Sequence, residues 1–324
     1  MKKIILSLAV FLLSCIGTSA KWITIENGKS WNDMDGNPVQ AHGGNFLHLG
    51  DTWYLIGEDR GHTWNPDVNM YSSKDFIHWK FEGKIIQNGI TSPELGHSRM
   101  IERPKLMYCK KTGKFVVWCH WEARDYSASE AAAFVSDKVN GPYKLYWSGR
   151  PMDIKSRDCN VFVDDDEKAY FISTTNENQD LGLFELSDDY LRPVSHTSLF
   201  EQQRREAPAI VRIDTNYYMI SSACTGWEPN QAKIADSHSL LSNWSSLTNV
   251  GDRIAYDTQA SAILKIKGTK GTAYIYVGDR WMDPDLPQSK IIMLPVEFKD
   301  GKMEFKYYKQ WELDIEKGLW REKK

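Results

Sequence analysis

The fold is indicated by a stretch that the chain carries twice, Glu102-Arg103-Pro104-Lys105-Leu106-Met107-Tyr108 and Glu206-Ala207-Pro208-Ala209-Ile210-Val211. In both copies a glutamate stands two residues before a proline, and an apolar run typical of a β-strand follows. A third acid has a similar setting, in Arg157-Asp158-Cys159-Asn160-Val161-Phe162-Val163. A carboxyl that recurs at the start of successive β-units indicates one structural position repeated around an axis. Such repetition would bring together acids that are far apart in sequence.

Strand-like runs dominate the rest of the sequence, and helical periodicity is nearly absent. Short polar turns such as Asp164-Asp165-Asp166-Glu167-Lys168 and Asp214-Thr215-Asn216 separate the runs and are typical of hairpins. Alignment of the hairpins gives five units of one plan, with starts 48 to 60 residues apart at His42, Glu102, Asp158, Glu206 and Gln259. This spacing predicts an all-β fold, a five-bladed β-propeller of four-stranded blades. A β-sandwich is the rival all-β fold, but its units would not repeat at this length.

The first strand of each blade would line the central channel, so the unit starts would converge at one end of it. The converging set would be Gln40 or His42, Glu102, Asp158, Glu206 and Gln259. Two or three converging carboxyls are typical of glycoside hydrolysis, in which one carboxyl donates a proton and a second group activates water. A lone glutamate is usually a solvated surface residue, but three acids at matching repeat positions favour a site.

Residues 1–20 have the features of an export signal. A positive start, Met1-Lys2-Lys3, is followed by an apolar run and by small residues ending at Ala20. The segment Leu12-Leu13-Ser14-Cys15 also suits lipoprotein processing at Cys15. We therefore expect an exported protein, either secreted, periplasmic or a cell-surface lipoprotein, with a single catalytic domain in residues 21–324. The net charge of −3 argues against a nucleic-acid partner, which needs a basic surface.

The remaining cysteines, Cys109, Cys119, Cys159 and Cys224, fit neither a small disulfide scaffold nor a zinc pattern. Buried free thiols are the better interpretation, because cysteine packs as a small hydrophobic residue. The acidic run Asp164-Asp165-Asp166 is interpreted as a turn, since calcium needs six to eight converging oxygens. We predict no cofactor and no metal ion.

The chain resembles glycoside hydrolase family 43, whose catalytic domain is a five-bladed β-propeller, over essentially all residues after the export signal. The resemblance rests on Arg205-Glu206-Ala207-Pro208, on Arg157-Asp158 and on the outer-strand signature Ser73-x-Asp75-x-x-x-Trp79. Within the family the chain is similar to the exo-β-1,3-galactanase branch through four motifs. These are Gln40-Ala41-His42-Gly43-Gly44, Glu102-Arg103-Pro104-Lys105, Thr225-Gly226-Trp227-x-Pro229-Asn230 and Gly278-Asp279-Arg280-Trp281.

The resemblance implies an inverting exo-β-1,3-galactosidase that releases galactose from the β-1,3-galactan of type II arabinogalactan. It implies that Glu206 is the general acid and that Asp158 orients Glu206 and tunes its pKa, because a nearby negative charge disfavours ionisation. Most of the family has an aspartate at the entry to the first blade as the base, but this chain and the galactanase branch both lack it. In that branch a glutamine is proposed to activate water as its imidic-acid tautomer, and Gln259 is the match. Glu102 is the alternative base, although the resemblance assigns it to sugar binding.

Rim residues of the site would hold the terminal sugar, because a galactose hydroxyl needs directed polar partners and an aromatic ring covers the apolar face. The predicted binding residues are Glu102, Gln40, His42, Tyr126, Thr225, Trp227, Asn230, Asp279, Arg280 and Trp281. His42 could equally be a structural histidine, and Trp227 a residue that packs blades together.

Two alternative functions stay open. One is another activity of the family, such as α-L-arabinofuranosidase or β-xylosidase, against which the missing aspartate speaks. The other is a non-catalytic glycan-binding propeller. The expected partner in each case is a plant glycan, and the sequence does not determine the oligomeric state.

Overall fold

The computed structural model describes residues 22–61, 66–88, 99–299 and 301–323, and antiparallel β-strands form nearly all of its regular structure. The predicted export signal and Cys15 lie outside the described residues. The strands form six sheets, five with four strands and one with three. In each four-stranded sheet the strands are neighbours in chain order, so each sheet is one repeat unit of the sequence.

The strand bounds follow the order of the chain. Blade one comprises β2 (His42–Leu49), β3 (Thr52–Glu58), β4 (Val68–Ser73) and β5 (Lys80–Ile86). Blade two comprises β6 (Arg99–Cys109), β7 (Lys114–Ala123), β8 (Glu130–Ser136) and β9 (Lys144–Gly149). Blade three comprises β10 (Ser156–Val163), β11 (Ala169–Thr175), β12 (Asp180–Leu186) and β13 (Pro193–Leu199).

Blade four comprises β14 (Arg205–Ile213), β15 (Asn216–Ala223), β16 (Lys233–Ser237) and β17 (Thr248–Asn249). Blade five comprises β18 (Gln259–Lys267), β19 (Thr272–Arg280), β20 (Lys290–Lys299) and β21 (Lys302–Phe305). The three-stranded blade comprises β1 (Ile23–Glu26), β22 (Gln310–Asp314) and β23 (Leu319–Glu322). Short 3-10 turns at Pro151–Asp153 and Leu286–Gln288 lie in loops.

The prediction of a five-bladed propeller is wrong, because the described residues form a six-bladed β-propeller. Five blades are the predicted repeat units, and among the described residues their first strands line the channel as a closed ring. The three-stranded blade packs against blades one and five and adds none of its described strands to that inner ring. The sixth blade joins the two ends of the described chain. Its Ile23 and Trp311 share one hydrophobic core with Leu55 of blade one and Ile275 of blade five. The repeat spacing could not reveal this blade, since its strands are short and come from opposite ends of the sequence.

Polar side chains fill the axis and fix the blades relative to one another. Lys105 of β6 is fully buried, and its Nζ donates to the carbonyl oxygens of Gly43 in β2 (2.7 Å) and Ser261 in β18 (2.8 Å). The Nδ2 of Asn160 in β10 donates to the carbonyl oxygens of Pro208 in β14 (2.7 Å) and Ser261 (2.9 Å). All five first strands are therefore linked just below the end of the channel at which they begin.

A bulge at the same place in every first strand explains the repeated Glu-x-Pro motif. The register with the second strand shifts directly after His42, Glu102, Ser156, Glu206 and Ala260. Bulges redirect side chains and are common beside active sites. They also tolerate proline, which cannot donate to a strand ladder. By register the residue of blade three that matches Glu102 and Glu206 is Ser156, and Asp158 lies inside the bulge.

The four described cysteines are free thiols, as predicted; three are buried and Cys224 is half-buried. Burial raises the pKa of the Cys119 thiol well above its ordinary value, which fits an inert packing role. Within the described part of the chain, no helix has the length and apolar character needed to cross a bilayer.

Candidate active site

A cavity of about 410 Å³ lies at the end of the channel where the five bulges meet. Seven of the thirteen predicted site residues line it: Glu102, Tyr126, Asp158, Glu206, Trp227, Gln259 and Trp281. The three acids near the blade entries, Glu102, Asp158 and Glu206, therefore converge as the sequence predicts. The bulges place them there, because each one turns the entry of a first strand toward the axis.

Glu206 is a carboxyl that holds its proton at neutral pH. Burial raises the pKa of Glu206 to about 8, and the negative charge of Asp158 adds to this rise, while the positive charge of Arg103 opposes it. A general acid must be protonated when its substrate binds, and a raised pKa supplies that state near pH 7. The negative charge of Asp158 therefore shifts the pKa of Glu206 in the direction that the sequence predicts.

A chain of contacts joins Asp158 to Glu206. Arg103 Nε lies 2.7 Å from Asp158 Oδ2, and Arg103 Nη2 donates to Gln259 Oε1. Gln259 Nε2 donates in turn to Glu206 Oε1 at 3.0 Å and to the Ser222 hydroxyl at 3.1 Å. Arg103 is buried, and its Nη1 is anchored on the carbonyl oxygen of the residue after Gln259 (2.9 Å). One guanidinium thereby holds Asp158 and Gln259 directly, and it holds Glu206 through Gln259.

Glu102 lies in a second buried network of the cavity, next to that chain of contacts. The Tyr126 hydroxyl donates to Glu102 Oε1 at 2.8 Å, and Arg60 Nη2 lies 3.4 Å from the same oxygen. His120 Nδ1 lies 3.1 Å from Glu102 Oε2, and His120 Nε2 lies 3.0 Å from Glu122 Oε2. Burial would raise the pKa of Glu102, but contact with His120 and the charges of His120 and Arg60 hold it well below its usual range. Glu102 is therefore an ionised hydrogen-bond acceptor.

Two tryptophans form one wall of the cavity. The rings of Trp227 and Trp281 meet edge to face with centroids 4.9 Å apart. The Arg60 guanidinium lies 5.2 Å from the Trp227 ring centroid and 5.9 Å from that of Trp281, and it pairs with buried Glu58. An aromatic wall beside ionised acceptors suits a sugar, which presents an apolar face and directed hydroxyls.

The other six predicted residues lie outside the cavity lining, and two of them support blade one. His42 and Asp279 are both buried, and His42 Nδ1 lies 3.1 Å from Asp279 Oδ1. Asp279 Oδ2 accepts the backbone N–H of Gly43 at 3.0 Å. Asp279 thus holds the bulge of the first blade in place. The structural interpretation of His42 is the one that these contacts favour.

The remaining four brace the loops that carry the tryptophans. Asn230 Nδ2 donates to the Thr225 hydroxyl at 2.6 Å, which closes the loop that contains Trp227. Arg280 Nη2 donates to the carbonyl oxygen of Tyr256 at 2.8 Å, just ahead of Gln259. Gln40 Nε2 donates to the carbonyl oxygen of Pro287 at 3.0 Å. These residues shape the cavity without lining it.

Sequence reasoning missed Glu58, Arg60 and His120, and it quoted Arg103 without giving it a role. Glu58, the last residue of β3, is the cross-strand partner of His42, and His120, near the end of β7, is the cross-strand partner of Glu102. Antiparallel pairing places the end of a second strand beside the start of the first. That pairing was a signal available in the hairpins, and it would have located both residues.

The ligand atoms of Glu102, His120 and Asp158 lie within 4.8 Å of one another, the one such group of metal-ligand type among the described residues. His120 is already bracketed by two carboxylates, and Asp158 is paired with Arg103. These positive groups satisfy the carboxylates, so the donor set does not favour a divalent cation.

Comparison with known proteins agrees with this site. Residues 36–301 match the model of glycosyl hydrolases family 43. Curated protein sequences give no match. The chain is similar to the structure of an exo-β-1,3-galactanase from Clostridium thermocellum, at 40% identity and a TM-score of 0.89, covering 93% of this chain and 68% of that one.

Two further solved structures are similar. One is a family 43 β-1,3-galactosidase with galactodeoxynojirimycin, at 32% identity and a TM-score of 0.82, covering 89% of this chain and 99% of that one. The other is a Glu-to-Gln variant of an exo-β-1,3-galactanase from Phanerochaete chrysosporium with β-1,3-galactotriose, at 28% identity and a TM-score of 0.86. It covers 92% of this chain and 70% of that one. The chain therefore belongs to glycosyl hydrolase family 43, an inverting family, and it is a glycoside hydrolase of the exo-β-1,3-galactanase branch.

Proposed function

We propose that the protein is an inverting exo-β-1,3-galactosidase that releases galactose from the β-1,3-galactan of type II arabinogalactan. The observation that carries this proposal is Glu206, a carboxyl with a pKa of about 8 in the cavity of a chain that is 40% identical to an exo-β-1,3-galactanase. The link of Lys105 and Asn160 to backbone carbonyls fills the channel below the cavity. A cavity that ends on such a plug suits the end of a polysaccharide chain better than its interior.

The chemistry is a single displacement. Glu206 gives its proton to the glycosidic oxygen, the bond from that oxygen to C1 breaks, and the bonding electron pair stays on the leaving oxygen. A water oxygen forms the new bond to C1 from the opposite face, so the released galactose has the α configuration. The water gives one proton to the base, and Glu206 regains a proton from solvent. Asp158 favours the protonated form of Glu206 between turnovers.

The base is Gln259 or Glu102, the two candidates that the sequence leaves. Gln259 is implied by the resemblance, and it would act as its imidic-acid tautomer. Glu102 is an ionised carboxylate in the same cavity, and its contacts with Tyr126 and Arg60 equally suit binding of a sugar hydroxyl. In this proposal Trp227 and Trp281 cover the apolar face of the terminal galactose.

We further propose that the protein is exported, with residues 1–20 as the signal. A lipid anchor at Cys15 is the alternative to free secretion. The mass of the mature chain from the native host distinguishes the two: a diacylglyceryl adduct on Cys15 would show the anchor, and an N-terminus at Lys21 would exclude it.

The test of function uses linear β-1,3-galactan, β-1,3-galactobiose and an aryl α-L-arabinofuranoside. Galactose released from the first two alone supports the proposal, and arabinose release contradicts it. Binding of galactan without any release would favour the non-catalytic propeller. E206Q should lose at least about 100-fold in kcat, since general acid catalysis contributes roughly 10²–10⁴-fold. E201Q, an exposed glutamate outside the cavity lining, is the matched control. NMR of the first-formed anomer checks inversion.

A further inference from the structure

The amide of Gln259 has all four of its hydrogen-bonding positions occupied. Its Oε1 accepts from Arg103 Nη2 and, at 2.9 Å, from Trp281 Nε1. Its Nε2 donates one hydrogen to Glu206 Oε1 at 3.0 Å and the other to the Ser222 hydroxyl at 3.1 Å. An amide has two acceptor and two donor positions, so none is left for water.

The orientation of this amide follows from the chemistry of its neighbours. A guanidinium and an indole N–H can only donate, so the oxygen of the amide must face Arg103 and Trp281. The NH2 group must then face Glu206 and Ser222. Rotation of the amide by 180° would set N–H against N–H on one side and leave carbonyl against carboxyl oxygen on the other. The donors on one side and the acceptors on the other therefore fix the amide in this orientation.

We propose that Gln259 is a positioning residue for the general acid, and that Arg103 and Trp281 hold it in that role. This inference rests on the proposed function of Glu206 as the acid. Because Gln259 donates to Oε1 of Glu206, Oε1 is the carbonyl oxygen of the protonated carboxyl. The transferable proton is then on Oε2, at a fixed place relative to the glycosidic oxygen.

The same contacts oppose the role of Gln259 as the base. The imidic-acid tautomer carries a hydrogen on Oε1, where Arg103 and Trp281 already direct two hydrogens. Gln259 also lies in direct contact with the acid, whereas an inverting base acts from the other face of the sugar, at roughly 6.5–9.5 Å from the acid. Water activation is left to Glu102, the other candidate of the cavity.

Arg103 gives this arrangement its rigidity. The same guanidinium contacts Asp158 through Nε and the backbone of blade five through Nη1. Its backbone N–H donates to Glu58 Oε1 at 2.8 Å, which fixes the bulge that carries it. Gln259 is consequently held from blades two and five while it contacts Glu206 in blade four. Errors of about 1 Å in such positioning can cost on the order of 100-fold in rate.

The experiment compares two leaving groups in Q259A and in Q259M, which keeps the volume of the side chain. The leaving oxygen of β-1,3-galactobiose must be protonated, whereas fluoride leaves β-galactosyl fluoride with far less need for a proton. We expect kcat/KM of both variants to fall about 10- to 100-fold on galactobiose and less than about 3-fold on the fluoride. E206A should show the same dependence on the leaving group. Q231A is the matched control, since the Gln231 side chain bonds within blade four and does not line the cavity.

Equal losses on both substrates would overturn the inference, because a base is needed whatever the leaving group. Unchanged activity of Q259A and Q259M on galactobiose would overturn it as well. A wild-type protein that hydrolyses neither substrate would instead refute the proposed function. A second measurement is the alkaline limb of kcat on galactobiose. It should move to higher pH in Q259M, since the Gln259 hydrogen bond lowers the pKa of Glu206.

Discussion

The substitution D158N tests whether Asp158 sets the protonation state of Glu206. Asparagine has nearly the same shape and can still accept from Arg103, but it lacks the negative charge. The positive charge of Arg103, which lowers the pKa of Glu206, is then no longer balanced by Asp158. The pKa of Glu206 should therefore fall from about 8.

The size of the effect follows from the pKa. A charge within about 4–6 Å moves a carboxyl pKa by roughly 1–3 units, so the expected pKa in D158N lies between about 5 and 7. About nine-tenths of wild-type Glu206 is protonated at pH 7, and a fall of about 2 units leaves roughly one-tenth. The rate at pH 7 should then drop about 10-fold, with a range of about 2- to 100-fold. The loss should shrink as the pH is lowered toward 5.

The assay is the initial rate of galactose release from β-1,3-galactobiose between pH 4 and pH 10, from which kcat is fitted at each pH. Activity requires the protonated acid, so it falls as the pH rises through the pKa of Glu206. D165N, at an exposed aspartate at the far end of blade three, is the control and should keep the wild-type profile. An alkaline limb in D158N that stays in place or moves to higher pH would refute the reasoning.

Three further predictions concern stability and the pH dependence of activity. E206Q should be more stable than the wild type at pH 9 by about 3 to 5 kcal/mol but not at pH 4, because the raised pKa of Glu206 makes the wild type lose stability as the pH rises from 4.5 to about 8. Equal urea midpoints of the two proteins at pH 9 would contradict this. K105M should lower the free energy of unfolding by about 3 kcal/mol or more, since it leaves buried carbonyl oxygens unpaired. A loss of under about 1 kcal/mol in urea unfolding would refute the role of Lys105. H120Q should raise the pKa of Glu102, because it removes the His120 charge that lowers this pKa, and the acid limb of kcat/KM should move to higher pH. H78Q, at an exposed histidine, is the control, and an unchanged acid limb in H120Q would contradict the prediction.

The local pattern of the chain predicts much of this protein. Alternating apolar runs and polar turns give the hairpins, and their spacing gives the five four-stranded units. The position of Glu102 and Glu206 before a proline predicts their convergence, because a local motif keeps the same place in each blade that carries it. Family membership follows from the same motifs, which are short and contiguous.

Other predictions failed or stayed incomplete because they depend on partners that are distant in sequence. The sixth blade pairs Ile23 with Leu313, and no local spacing records such a pairing. Asp158 appears equivalent to Glu102 in sequence, but the register places Ser156 there and Asp158 in the bulge. Arg60 follows the end of β3 in a loop, and no local motif marks it. His120 is marked only by its pairing with Glu102 across one hairpin.

Sequence alone therefore established which residue types recur at the blade entries and which family they indicate, because strands, turns and motifs are encoded by neighbouring residues. Only the tertiary structure determined how those residues act. The pKa of Glu206 depends on burial and on the charges of Asp158 and Arg103, which come from two other blades. The direction of the Gln259 amide depends on donors from Arg103 and Trp281. Electrostatics and hydrogen bonding act over a few ångströms in space, and the fold sets those distances.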